Sequence, residues 1–297
     1  MPSRRLFLKQ ASLASSALLL NKSNWFEDKG LVGIQLYTLR DEVSKDVKGT
    51  IAKIAEIGYT SVEIIGYNAG KFFGFSPADF ADIFKQNHLK IPSGHYGATK
   101  FLTMGDEEDL KKTIDDASKM SHDFFTIAFL TPDMRTSLDD YKKLASKFNR
   151  VGELVKNAGM KLAYHNHNFE FKDWGGGKTG FDVFLKETDP QLVYFELDMY
   201  WVTRAGGDPI QLIKSNPGRI QMWHIKDMAS KEEPTFDVGG DQFFTEVGTG
   251  IINYKEIFKY KKESGMKYFF VEQDHVKIPV YESIANSLKY IRNNNLS

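Results

Sequence analysis

The chain has 297 residues, 41% hydrophobic and 26% charged, enough to bury a large core and unlike the composition of a disordered or fibrous protein. Its 39 Lys and Arg are balanced by 39 Asp and Glu, so no net field draws it to nucleic acid, an anionic membrane or a polyacidic substrate. Without cysteine it has no disulfide, thiolate zinc site, cysteine nucleophile or lipoprotein anchor.

At the N-terminus, Ser3-Arg4-Arg5-Leu6-Phe7-Leu8-Lys9 precedes a short run of Ala, Ser and Leu ending at Leu20. Paired arginines before an apolar stretch too short to span a bilayer predict a twin-arginine export signal over residues 1–28, and hence a periplasmic protein. A basic amphipathic helix is the competing reading. The folded part is expected over residues 29–297 as one domain, because no Pro/Gly/Ser linker or change of composition divides it.

From Gly30 onward one unit repeats: a short apolar run rich in β-branched and aromatic residues, a polar loop, then a stretch of helical period. The strand candidates are Leu31 to Leu36, Ser61 to Ile65, Lys90 to His95, Phe124 to Phe129, Lys161 to His165, Val193 to Asp198, Ile220 to Ile225 and Tyr268 to Glu272. Between them lie helical stretches such as Val47 to Ile57, Pro77 to Asn87, Glu107 to Met120, Leu138 to Ala158 and Tyr254 to Ser264. Gly58, Gly159 and Gly265 follow the last periodic residue of three helices, where a C-cap needs positive φ. Eight such units predict a (β/α)₈ TIM barrel, an α/β fold. An open doubly wound sheet would need a glycine-rich loop after the first strand, and Gln35-Leu36-Tyr37-Thr38-Leu39-Arg40 has no glycine.

Active sites of such barrels are assembled at the C-terminal ends of the strands, and the ends here are ionic. Glu63 lies in the second strand, His95 ends the third, Tyr164-His165-Asn166-His167 the fifth, Glu196 and Asp198 the sixth, His224 with Lys226 and Asp227 the seventh, and Glu272 with Asp274 the eighth. Charges within apolar strands are costly unless paired or metal-bound, so their recurrence at one end points to convergence. His165, Asp198, His224 and Glu272, from four successive strands, make a two-nitrogen, two-oxygen set for one divalent ion. That set suits Mn²⁺, Zn²⁺, Co²⁺ or Fe²⁺, Mg²⁺ less so, and Ca²⁺ least. His167, one repeat beyond His165, is assigned to substrate or outer support. Glu196 reads equally as functional or as a paired carboxylate inside the barrel. Tyr37, Tyr96, Trp174, Tyr200, Trp201 and Trp223 are candidate walls for a sugar ring.

These segments resemble the xylose isomerase-like TIM-barrel superfamily of sugar phosphate isomerases and epimerases. The resemblance runs from Gly33-Ile34-Gln35-Leu36-Tyr37 to Val271-Glu272-Gln273-Asp274. It is carried by Tyr164-His165-Asn166-His167-Asn168-Phe169-Glu170-Phe171, Glu196-Leu197-Asp198-Met199-Tyr200-Trp201, His224-Ile225-Lys226-Asp227 and Val247-Gly248-Thr249-Gly250. It implies a metal held by Glu, Asp, His and Glu after strands five to eight, with the two glutamates as an acid/base pair. Asp198, His224 and Glu272 match; His165 stands where the first Glu is expected, which breaks that pair.

What the resemblance then implies is metal-assisted proton abstraction beside a carbonyl on a small carbohydrate, and the lack of a basic cluster that would specify a phosphate points to an unphosphorylated one. The outcome is isomerisation or epimerisation, or alternatively lyase or hydratase chemistry on a keto sugar. Glu272, His167 and His95 are the catalytic candidates, and Lys226, Trp201, Tyr37 and Glu63 the substrate-binding ones. Lys226 reads equally as a rim lysine paired with Asp227. A non-catalytic periplasmic sugar-binding barrel and the endonuclease branch of the fold are competing classes. The latter should show more histidines and excess positive charge. No nucleic-acid partner and no membrane anchor are expected; a homo-oligomer stays open.

Overall fold

A computed structural model describes residues 31–297; the twin-arginine motif lies outside the described residues. Eight parallel strands close into a barrel: β1 (Gly33–Gln35), β2 (Ser61–Ile64), β3 (Lys90–Tyr96), β4 (Phe124–Ile127), β5 (Lys161–His165), β6 (Val193–Asp198), β7 (Ile220–Ile225) and β8 (Tyr268–Val271). Neighbours in sequence are neighbours around the barrel, and β1 pairs with both β2 and β8 to close it. Two small antiparallel ribbons, Tyr67–Asn68 with Lys71–Phe72 and Asp227–Met228 with Phe244–Thr245, sit in the loops after β2 and β7.

The helices form where the apolar period demands. Leu138–Asn157 buries Tyr141, Leu144, Ala145, Phe148, Val151, Gly152 and Val155, a stripe at steps of three and four, and Ser137 caps its first turn by accepting from Asp140 N. Gly152 is required by packing: a Cβ there would stand 2.9 Å from the Leu192 backbone oxygen. Gly58, Gly159 and Gly265 have φ of +110°, +83° and +79°, as the C-cap argument expects. The stretch from Tyr254 to Ser264 is not one helix. It runs as Tyr254–Ile257, a 3-10 turn Phe258–Tyr260, and Lys261–Ser264, the tighter middle turn interrupting the α-helical ladder. β1 is also shorter than expected, because Leu36–Leu39 turns into a 3-10 helix whose first turn is capped by the Gln35 side chain.

Strand alternation sorts the side chains into two populations. Outward residues such as Ile34, Val62, Leu162, Leu197, Trp223 and Val271 join the helices in the main core. Inward residues fill the barrel. Phe124, Ala163, Met222 and Phe270 form a separate apolar cluster at its lower end, with Tyr194 and Tyr268 against it. Two residues further along β6, β7 and β8, and along their neighbours, the interior turns ionic.

Candidate active site

Glu196 and Asp198 on β6, and His224 and Lys226 at the end of β7, show the period of two directly: each pair shares the inward face, one step apart along the strand. The interior therefore carries two stacked polar layers. The upper contains His165, Asp198, His224 and Glu272, the lower Glu63, His95 and Glu196, and His224 reaches both. One donor atom from each upper residue lies within 4.8 Å of all the others, and the same holds for the lower trio with His224.

Local structure aims each group. Asp198 is both the last residue of β6 and the N-cap of the helix Met199–Arg204. Its Oδ1 accepts from Trp201 N at 2.9 Å, while its own N–H donates to Asn166 Oδ1 at 3.0 Å. Oδ2 is thereby turned inward, 3.3 Å from His165 Nε2, and apart from an ion pair with Lys226 Nζ at 3.2 Å it has no hydrogen bond although it is buried. Both ring nitrogens of His165 are likewise buried without a hydrogen bond. Buried ring nitrogens without a hydrogen bond are costly, and a cation bound to a His165 nitrogen beside Asp198 Oδ2 relieves that cost. Burial, then repulsion from His224, pushes His165 below its ordinary value, so its ring is neutral and carries a lone pair. The donor set thus fits a divalent transition ion.

His224 is held from two sides. Nδ1 meets Glu272 Oε2 at 2.7 Å and Nε2 meets Glu63 Oε2 at 2.6 Å. Burial alone would lower its pKa, but Glu196, Glu272 and Glu63 outweigh burial and hold it well above the usual imidazole range, so an ion binding it displaces a proton. Glu63 is in turn fixed by Gln35 Nε2 at 2.6 Å and by His95 Nε2 at 3.1 Å. His95 also reaches Glu196 at 2.9 Å, and these two carboxylates overcome the effect of burial to lift it to about 9. Lys226 meets Asp198 at 3.2 Å and Glu272 and Asp274 at 2.8 Å each. Burial opposes charge on Glu272, yet Lys226 and His224 keep its carboxyl well below the usual range.

Of the residues singled out in the sequence, His165, Asp198, His224, Glu272, Lys226 and His167 converge. His167 stacks on Phe169, stands edge-on to the half-exposed Phe129, and presents its ring 5.0 Å from that of His165. Glu63 and His95 belong to the layer beneath. Glu63 is wholly buried behind His224 and His95, so the expectation that it binds substrate is corrected: it reaches the mouth only through those two rings. His95, expected as an acid or base at the mouth, bridges two buried carboxylates through Nε2 and keeps 14% of its side chain exposed. Trp201 is 1% exposed, packed against His167, Tyr200 and Phe244, and gives no open face to a sugar. Tyr96 and Trp223 point out of the barrel, to His122 and Ser264. Tyr37, 41% exposed, stays at the rim with Arg40 over its ring.

Asp227 does not pair with Lys226. It accepts the backbone N–H groups of Met228, Gly248, Gly250 and Ile252, so the Val247–Gly250 segment is the wrapping of a carboxylate. A Cβ at Gly250 would meet Asp227 Oδ1 at 2.3 Å. Three contributors escaped sequence reasoning: Gln35, Asn166 and Glu170. Glu170 receives the Tyr164 hydroxyl and His167 N, and burial pushes its carboxyl up to about 7. All three lie in segments that carry the resemblance, and polarity next to strand ends was the only signal they offered.

A closed parallel barrel with this cluster at the C-terminal ends of β5 to β8 defines a (β/α)₈ enzyme whose chemistry sits at the face where such barrels place it. The model of the xylose isomerase-like TIM barrel family matches residues 51–294, and the chain belongs to that family. It is 24% identical to an inosose dehydratase of Lacticaseibacillus casei over 283 residues, 84% of this chain and 91% of that one. It is 29% identical to an inosose dehydratase of Clostridium beijerinckii over 168 residues, spanning about half of either protein (52% and 54%). A crystal structure of a sugar phosphate isomerase/epimerase from Parabacteroides distasonis superposes with a TM-score of 0.79 at 28% identity, over 91% of this chain and 96% of that one.

Proposed function

We propose that this protein is a lyase of the dehydratase type acting on a keto sugar or keto-cyclitol, with one base. The observation that carries the reading is the asymmetry of the upper layer, in which the only carboxylates among the quartet are Asp198 and Glu272, and Asp198 is committed by its cap to the β6 end. The position that would complete a two-carboxylate pair across the substrate is His165. Epimerisation by two bases, one on each face of a carbon, therefore lacks a partner; removal of a proton on one side does not.

Glu272 is the base. It is ionised, and its contacts to His224 and Lys226 fall on Oε2, leaving Oε1 for the proton next to the ketone. As that proton moves to Glu272, the bond from the β-carbon to its hydroxyl breaks, and the hydroxyl leaves as water once it gains a proton. Lys226 supplies positive charge beside the developing oxyanion, and the ring of His167, kept neutral by burial first and then by His165, offers an N–H to the departing oxygen. A divalent ion held by His165, Asp198, His224 and Glu272 would stabilise negative charge on the ketone oxygen as a Lewis acid. The inosose dehydratase relatives support a substrate of this class.

The test is incubation with an inosose and with 3-keto-glycosides in D₂O. Loss of water or of the glycosidic substituent, followed by mass spectrometry, is expected, with deuterium entering beside the ketone and both signals abolished in Glu272→Gln. An epimeric product with no elimination would instead establish the second reading, isomerase or epimerase, which the likeness to the Parabacteroides structure favours.

A further inference from the structure

Lys226 is a fully buried ammonium at the end of β7, and its three carboxylate partners differ in kind. Two of them, Asp198 Oδ2 and Glu272 Oε2, are oxygens on which the upper quartet converges. The third, Asp274, lies outside the quartet, two residues beyond Glu272 and nearer the mouth, with 21% of its side chain exposed. The Lys226 ammonium also lies 5.6 Å from the centre of the Trp201 ring, within cation–π range.

We infer that Lys226 is a displaceable internal cation that shares Asp198 and Glu272 with the metal and hands them over by withdrawing to Asp274, the one partner it keeps. This rests on the quartet being a metal site. A monocation and a divalent cation cannot both sit on the same two oxygens without strong repulsion at low local dielectric. One of them must yield, and only the lysine has a second berth. Asp274 is placed for that berth, 2.8 Å from the ammonium and in the direction of the mouth. A lysine drawn to Asp274 presents its remaining N–H groups to an oxygen of the substrate, which ties metal loading to substrate binding through one side chain. The arrangement also explains why a buried lysine follows a ligand histidine by two residues, since that spacing puts both on the inward face.

The experiment is metal affinity, read by chelator competition with Mn²⁺ and Zn²⁺, on the full chain and on three variants. Lys226→Met is expected to bind either ion more tightly by roughly tenfold, the scale of coupling between charges in contact. Asp274→Asn, which touches no quartet residue, is expected to bind more weakly, because the lysine has lost its landing point. In the double variant the Asp274 effect should vanish. Where Lys226→Met folds poorly without metal, amine acetylation of the unmodified chain followed by peptide mapping gives the second reading: Lys226 should label slowly in metal-depleted protein and several-fold faster after loading. Unchanged or weaker affinity in Lys226→Met, or equal labelling in the two states, overturns the inference. A chain that binds no ion in any form overturns the metal site and the inference together.

Discussion

The two halves of the barrel interior solve the same packing problem with opposite chemistry. The lower half is plugged by Phe124, Ala163, Met222 and Phe270, which fill space between the strands and need no partners. The upper half is filled by His95, Glu63, Glu196, His224, Asp198, Lys226 and Glu272, every one of which needs the others, because an unpaired buried charge costs several kcal/mol. The lower plug therefore contributes stability, and the upper column, paired at a net cost, is the part to which the proposed chemistry is assigned. The strands make the switch within one step of two residues: Met222 and His224 are inward neighbours on β7, and Phe270 and Glu272 on β8.

The comparison breaks most visibly at Asp198. Asp198→Ala should remove bound metal and lower kcat roughly a thousandfold or more, since several kcal/mol of charge stabilisation go with the ion. Elemental analysis of the purified variant checks the first half and turnover with a keto sugar the second; full metal content would show that the upper column does not hold the ion. Phe270→Ala probes the other half. It should cost about 3–5 kcal/mol in urea unfolding while metal affinity of the folded fraction stays unchanged. A drop in affinity as large as that from a quartet variant would erase the division of labour.

His122 sharpens the contrast, because it is a buried imidazole outside the column with no carboxylate in contact. Its Nδ1 donates to the Ile91 carbonyl and its Nε2 takes the Tyr96 hydroxyl, each at 2.7 Å. Burial pushes it down to about 4, whereas the carboxylates around His95 lift that ring to about 9. A histidine lowered in the folded state stays neutral while the unfolded chain takes up a proton below about pH 6.5, so stability is complete above that value and falls as pH drops toward 4. The loss should be about 2 kcal/mol at pH 5. Urea unfolding of wild type and His122→Gln between pH 7.5 and 5 isolates the effect; parallel pH profiles would refute it. The smallest change is expected at Glu63→Gln, which keeps the shape of the lower layer but weakens the carboxylate behind His224. Metal affinity should fall by about tenfold with the fold intact, the low end for carboxylates that orient a ligand histidine. No change would mean that Glu63 serves packing alone.

The amino-acid pattern alone determined eight strand-helix units, their order, the glycine caps and the presence of charged residues at the strand ends, because these follow from local periods of two and 3.6 and from φ > 0 at a few positions. It also put Glu196 and Asp198 on one face, since i and i+2 on a strand share a face whatever surrounds them. What only the tertiary structure decided is depth and partnership. Glu63 reads in sequence as a mouth residue; barrel closure buries it behind His224 and His95, because staggered strands bring residues of different strands to different heights. Lys226 and Asp227 are adjacent in sequence and separate in space, one turned in to Asp198, Glu272 and Asp274, the other turned out to four backbone N–H groups. Alternation along a strand fixes that they diverge, but which carboxylates and amides await each of them depends on chain segments twenty to fifty residues away, and only folding brings those into contact.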